Sequence, residues 1–193
     1  MKRLLAMIVI LLAIIALWTW NSRIGQDWLL EQAVTAGMKR TGAMIRYDGL
    51  KVFLCGTSSP LPAPGRAQAC VAVLAGESLY LVDVGAGSNS VASLGLLPMA
   101  RLKGLFITHF HSDHIAEIYE FNLSSWVAGR SEPMTVYGPE GVSEIIGGLN
   151  SAYRQDRSYR VDHHGPELLR PELGVMRAQL MAAGTTIEMD GLE

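Results

Sequence analysis

The hydrophobic pattern changes character three times along the chain. From Leu4 to Trp20 every position except Thr19 is apolar, behind a basic start at Lys2 and Arg3. As a helix this run is apolar on all faces and reaches roughly 25 Å at 1.5 Å per residue. It predicts a membrane anchor slightly shorter than the hydrocarbon core, with Trp18 and Trp20 at the interface. A signal sequence is the alternative, although no small-x-small cleavage pattern follows the run. With Lys2 and Arg3 held inside, the remainder lies outside the cytoplasm, on the periplasmic or extracellular side. Residues Gln26 to Arg40 then show helical spacing at Leu30, Ala33, Val34, Gly37 and Met38, with Asp27 as a cap. The division expected is 1–22 as the anchor, 23–48 as a helical linker and 49–193 as a domain.

From Lys51 the period shortens. KVFLC, CVAVL and SLYLVD are short apolar or alternating runs around the turn residues Ala75-Gly-Glu-Ser78, and they predict strands. A helix is predicted near Val91 to Leu96, stopped by Pro98, then a buried strand GLFIT, a helix over IAEIYEFNLSSWV, a strand MTVYG and a helix from Val142 to about Tyr153. Alternation of this kind predicts an α/β fold of layered helices and sheet. Residues Arg154 to Glu172 are polar and balance four basic against four acidic side chains, which predicts a long loop or inserted arm. The closing AAGTTIEMDGLE predicts the start of another hairpin.

Charge adds an exclusion. Sixteen basic and eighteen acidic residues give a formal net charge of -2, so no global positive field attracts nucleic acid or anionic lipid. Nucleic acid is therefore not the expected partner. The two cysteines, Cys55 and Cys70, sit at the edges of predicted strands. An oxidising compartment would link them across the intervening loop; two buried free thiols are the other reading. Nothing in the sequence sets an oligomeric state.

Candidate chemistry concentrates in THFHSDH, residues 108–114, which holds three of the five histidines. In an extended stretch behind a strand, side chains two apart point the same way, so His109 and His111 can face one ion while Phe110 turns inward. The turn at Ser112 brings Asp113 and His114 to a neighbouring position. Imidazole and carboxylate suit zinc, manganese or iron, and a mixed N and O set with open positions is the pattern of a catalytic metal site.

His-x-His-x-Asp-His after a strand resembles the signature of the metallo-β-lactamase fold. The resemblance runs from Leu54 to about Gly141: GTSSP at 56–60 and YGPEG at 137–141 are similar to the ribonuclease Z and arylsulfatase-like branch, and LVDVGAG at 81–87 is similar to the family's Asp-x-Gly turn. What the resemblance implies is a two-metal site, zinc first with manganese or iron possible, taking His109 and His111 on one ion and Asp113 and His114 on the other. Asp83 would orient the ligand loop by hydrogen bonds, and Asp113 would also align the catalytic water. The activity implied is hydrolysis of a phosphodiester or related ester by a metal-bound hydroxide. A lactonase or β-lactamase is the enzymatic alternative, and a non-catalytic metal-binding remnant is the alternative of another class.

The family also implies a second half: a further histidine, a bridging aspartate and a final histidine, on a sheet packed against the first. Here only His163 and His164 follow the motif, and they are read as a substrate-side feature, surface residues or replacement ligands. The expectation is the first half of an αβ/βα sandwich, incomplete at its C-terminus, with one sheet face lacking a partner layer.

Overall fold

The computed structural model describes residues 3, 7, 11, 13, 17–29, 32, 49–61 and 63–189. It divides into two compact units, Met1–Ala43 and Met44–Glu193. In the first, residues 17–21 and 23–29 are helical, and Asp27 lies inside the second stretch rather than capping it. Among the described residues no helix is long and apolar enough to cross a membrane, so the expected anchor has no support there. Most of the 4–20 run and most of the 23–48 linker lie outside the described residues.

The second unit is built on one six-stranded sheet in the order β1 to β6: β1 (Leu50–Gly56), β2 (Cys70–Ala75), β3 (Ser78–Val82), β4 (Leu102–Phe106), β5 (Thr135–Gly138) and β6 (Arg177–Leu180). The first three strands pair antiparallel and the last three join in parallel. The chemistry of the connections decides this. Ala75 to Ser78 closes β2 onto β3 through Gly76 at φ 53, a conformation glycine adopts freely. Parallel neighbours need crossovers, and these are helical: α1 (Ser88–Leu94), α2 (Ser112–Ile115) with α3 (Ile118–Val127), and α4 (Val142–Ala152) with α5 (Arg154–His164).

Strand alternation sorts the side chains. Leu79, Leu81, Leu105 and Val136 enter a core with Ile118, Phe121, Val142 and Ile146 from the helices. On β1 the opposite side presents Leu50, Val52 and Leu54 at 63%, 59% and 59% exposure, beside Val73 and Val71 of β2. That is an uncovered apolar stripe of the kind expected above.

Three expectations are corrected. Residues 154–164 form a helix rather than a loop, although none of them is buried. Local polar contacts explain it: Asp156 pairs with Arg160 one turn on, Tyr119 donates to Asp156, and Arg157 donates to the Asn150 carbonyl. The Arg160 hydrogen bond lowers the Asp156 pKa against its burial, while burial first and the Asp156 bond second raise that of Tyr119. The predicted helix over 115–127 is two pieces, broken at Ala116 and Glu117. Among the described residues the C-terminal segment forms no hairpin; β6 adds in parallel to β5. A 3₁₀ turn (Pro171–Gly174) precedes it, tied to α3 by the buried Arg130, which donates to Asn122 Oδ1, Ser125 Oγ and the Leu173 carbonyl. Burial lowers that guanidinium to about 10, which leaves it charged at neutral pH.

Cys55 and Cys70 are joined in a disulfide, at the point where the β1–β2 register shifts. In the chain-entropy account a bridge closing a 15-residue separation contributes about 3 kcal/mol. Mass mapping without reductant is expected to return the 55–70 crosslinked peptide, and denaturant unfolding with dithiothreitol should show a stability loss of about that size. Free thiols on the purified, air-exposed protein would contradict the pairing.

Candidate metal site

The site assembles where two parallel strands end. Asp83 immediately follows β3 and Thr108 is the second residue after β4, so the carboxyl ends of neighbouring strands deliver the two segments side by side. Asp83 is buried and takes a left-handed backbone at φ 56, an uncommon conformation for which aspartate is among the more tolerant residues. Its amide donates to the Phe106 carbonyl at 2.8 Å, and this aims its carboxylate at the histidine run.

Both oxygens of Asp83 are used. Oδ1 accepts from the Thr108 amide at 2.9 Å, the Thr108 hydroxyl lies 3.1 and 2.9 Å from Oδ1 and Oδ2, and Oδ2 faces His114 Nδ1 at 2.8 Å. A hydroxyl has one hydrogen. Given to Asp83, it leaves Thr108 Oγ1 to accept from His109 Nδ1, 3.0 Å away. With both rings neutral, this arrangement puts the proton on each Nδ1 and leaves the Nε2 lone pairs of His109 and His114 free for a cation. His109 Nε2 lies 3.0 Å from His111 Nδ1, and His114 Nε2 lies 3.4 Å from Oδ2 of the buried Asp113.

The donor chemistry therefore fits a divalent transition metal. Nitrogens freed by a carboxylate behind them are the arrangement seen around metal-binding imidazoles, and His109 and His111 hold between them a proton that a cation would replace. The convergence is pairwise, however: among the described residues no three His, Cys, Asp or Glu side chains are arranged around a point that would hold an ion. The expected cage for two ions is not formed by these residues alone.

His163 and His164 occupy the last turn of α5, exposed and edge-on to each other at 4.6 Å. Among the described residues no ring contact or hydrogen bond joins them to 109–114. A groove of about 330 Å³ lies along α5, lined by Arg154, Arg157, Ser158 and Pro171 among others, but it includes no residue of the histidine run.

Sequence reasoning missed three features. Thr108 was visible as the first letter of the motif, yet its relay between Asp83 and His109 needs the β3–β4 pairing to be known. Gly85 packs so closely on the Asp113 carbonyl that a Cβ there would lie 2.0 Å from the oxygen. Glu117 reaches back about thirty residues to the turn after Asp83, which no local spacing signals.

Comparison with known proteins agrees with this geometry. The family described as the metallo-beta-lactamase superfamily matches residues 63–176, more than half of the chain. A ribonuclease Z of Mycobacterium bovis is 35% identical over 146 residues, covering 74% of this chain and 51% of its own length. A ribonuclease Z of Mycolicibacterium paratuberculosis is 36% identical over 118 residues, covering 60% and 42%. In structure, the metallo-beta-lactamase fold protein YhfI of Bacillus subtilis superposes with a TM-score of 0.54 at 19% identity, over 74% of this chain and 50% of that one. The chain spans about half the length of the curated relatives it matches here.

Proposed function

The chain belongs to the metallo-beta-lactamase superfamily, and from that premise we propose that it acts with a divalent metal, zinc first, to hydrolyse a phosphodiester, RNA being the substrate class to test first. The single observation that carries this reading is the Asp83 fork. One buried carboxylate fixes His114 directly and His109 through Thr108, and so presents two imidazole lone pairs beside His111 and Asp113.

His109 with His111, and Asp113 with His114, would each contribute a pair of ligands to a metal site that these residues alone do not complete. When bound, such an ion lowers the pKa of water towards neutrality and stabilises negative charge growing on a phosphoryl oxygen. The chain's own residues do the rest. Asp83 keeps both Nδ1 protons in place, so neither ring can turn its lone pair away. Asp113 is buried against the Asp83–Gly85 turn, and its carboxylate can align a water by accepting a hydrogen bond from it.

The expectation against nucleic acid rested on a net charge of -2 and on the balanced charges of 154–172; the ribonuclease Z name of the relatives conflicts with it and supports RNA as the class to test. A count along the segment does not locate charge. Asp156 is paired with Arg160 and Glu172 with Arg170, so each of these pairs is close to neutral towards a polyanion. We also place the domain in an oxidising compartment outside the cytoplasm, a reading supported by the buried Cys55–Cys70 bridge. The membrane anchor is no part of the proposal.

Metal removal tests the reading. The purified chain, stripped with a chelator and reloaded with zinc or manganese, is expected to cleave bis(p-nitrophenyl) phosphate and a labelled single-stranded RNA only when loaded. Metal uptake without turnover on either substrate would overturn the phosphodiesterase assignment, and cleavage of a lactone or β-lactam in the same assay would favour the alternative chemistry.

A further inference from the structure

We propose that Glu117 is a positioning residue for the metal turn, fastening the segment that carries Asp113 and His114 to the turn that carries Asp83. This rests on the metal-binding reading above. Glu117 lies three residues beyond His114, in the break between α2 and α3. Both ends of the residue are tied to the same turn. Its amide donates to the Val84 carbonyl at 2.9 Å. Its carboxylate accepts from the Gly87 amide at 2.6 Å through Oε1 and from the Asn89 amide at 2.7 Å through Oε2, and the Ser88 hydroxyl, whose shorter bond is to the Gly85 carbonyl at 2.6 Å, lies 3.2 Å from Oε2. Charge-assisted bonds of this length are the stronger kind.

The consequence is a closed circuit. Val84 donates to the His114 carbonyl at 2.8 Å, Gly85 lies against the Asp113 carbonyl, and Glu117 closes the far side at residues 87–89. Without that clamp the two segments are joined on one side only and can hinge about the Val84–His114 bond. The hinge would open the 2.8 Å contact between Asp83 and His114 Nδ1, and with it the tautomer control on which the ligand set depends. The clamp also explains why the helix after the motif breaks at Glu117. A continuous helix would carry this side chain away from the turn, whereas its actual φ of -113 lets the chain bend to meet it.

The test compares zinc affinity, by competition with a chromophoric chelator, in the full chain and in Glu117→Ala and Glu117→Gln. Because outer partners of metal ligands typically contribute about 10- to 100-fold in affinity, Glu117→Ala is expected to weaken zinc by about that factor. Glu117→Gln, which keeps one acceptor oxygen, should fall between. The visible spectrum at saturating cobalt should change in Glu117→Ala, a signature that loss of a simple helix clamp would not produce. Glu117→Ala binding zinc within twofold of the parent chain, with the same cobalt spectrum, overturns the inference even if its Tm falls. Should Glu117→Ala fail to fold, the same comparison on Glu117→Gln decides. A parent chain that takes up no zinc or cobalt overturns the metal reading itself, which is a separate and recognisable failure.

Discussion

Replacing His111 by Ala is expected to remove bound zinc and, with it, about a thousandfold or more of any phosphodiester turnover. His111 is exposed, and among the described residues the hydrogen bond and the ring contact of its side chain are both to His109. Its carbonyl accepts the His114 amide, and alanine keeps that bond. The substitution should therefore leave Tm nearly unchanged while deleting one of two nitrogens 3.0 Å apart. Metal assistance contributes several kcal/mol to such reactions, and about 1.4 kcal/mol corresponds to tenfold in rate. Metal content by elemental mass spectrometry and turnover of bis(p-nitrophenyl) phosphate should fall together. Retention of both would show that the histidine run is not the metal site.

The histidine run was legible because its chemistry is local. Four potential ligands lie within six residues, and a strand followed by a turn is enough to bring them near one another. The strands were legible for a related reason: a burial period of two is written directly into CVAVL, and SLYLVD is a short apolar run of the kind that becomes a strand buried on both faces. What stayed hidden depends on contacts between distant segments. Residues 154–164 carry almost no apolar signal, and their helix is supported by Tyr119 and Asn150 from other elements. The break at Ala116–Glu117 is invisible in a sequence whose apolar spacing runs on through it, because the reason for the break is a carboxylate bonded thirty residues upstream. Asp83 was assigned an orienting role through family resemblance. The added physics is that it serves two histidines by two routes, one of them through Thr108.

Gly85→Ala is expected to damage stability and metal binding together, and the size of the effect follows from backbone packing. A Cβ at Gly85 would lie 2.0 Å from the Asp113 carbonyl oxygen and 2.5 Å from the Gln68 Cβ. Neither is the free end of a flexible side chain. Three sets of hydrogen bonds meet at this point: the Gly85 amide donates to the Ala69 carbonyl, the Val84 amide to the His114 carbonyl, and Gln68 exchanges hydrogen bonds with Ala86. With the backbone held on both sides, an added methyl must push residues 113–114 away from Asp83. Overpacking of a buried contact costs about 1–3 kcal/mol, occasionally more. The upper end, about 3 kcal/mol, is expected because backbone has to move. Displacing Asp113 and His114 should also weaken zinc by about tenfold or more, as loss of an orienting partner does. Gly147→Ala is the control. It lies in α4 with nothing within 4 Å of the new methyl, and it should gain about 0.5–1 kcal/mol from helix propensity with no change in metal affinity. Denaturant unfolding of the metal-free variants, followed by zinc competition, separates the two effects. A Gly85→Ala chain matching the parent in both would mean that the Asp83 turn and the Asp113 segment do not touch, and the site would have to be built some other way.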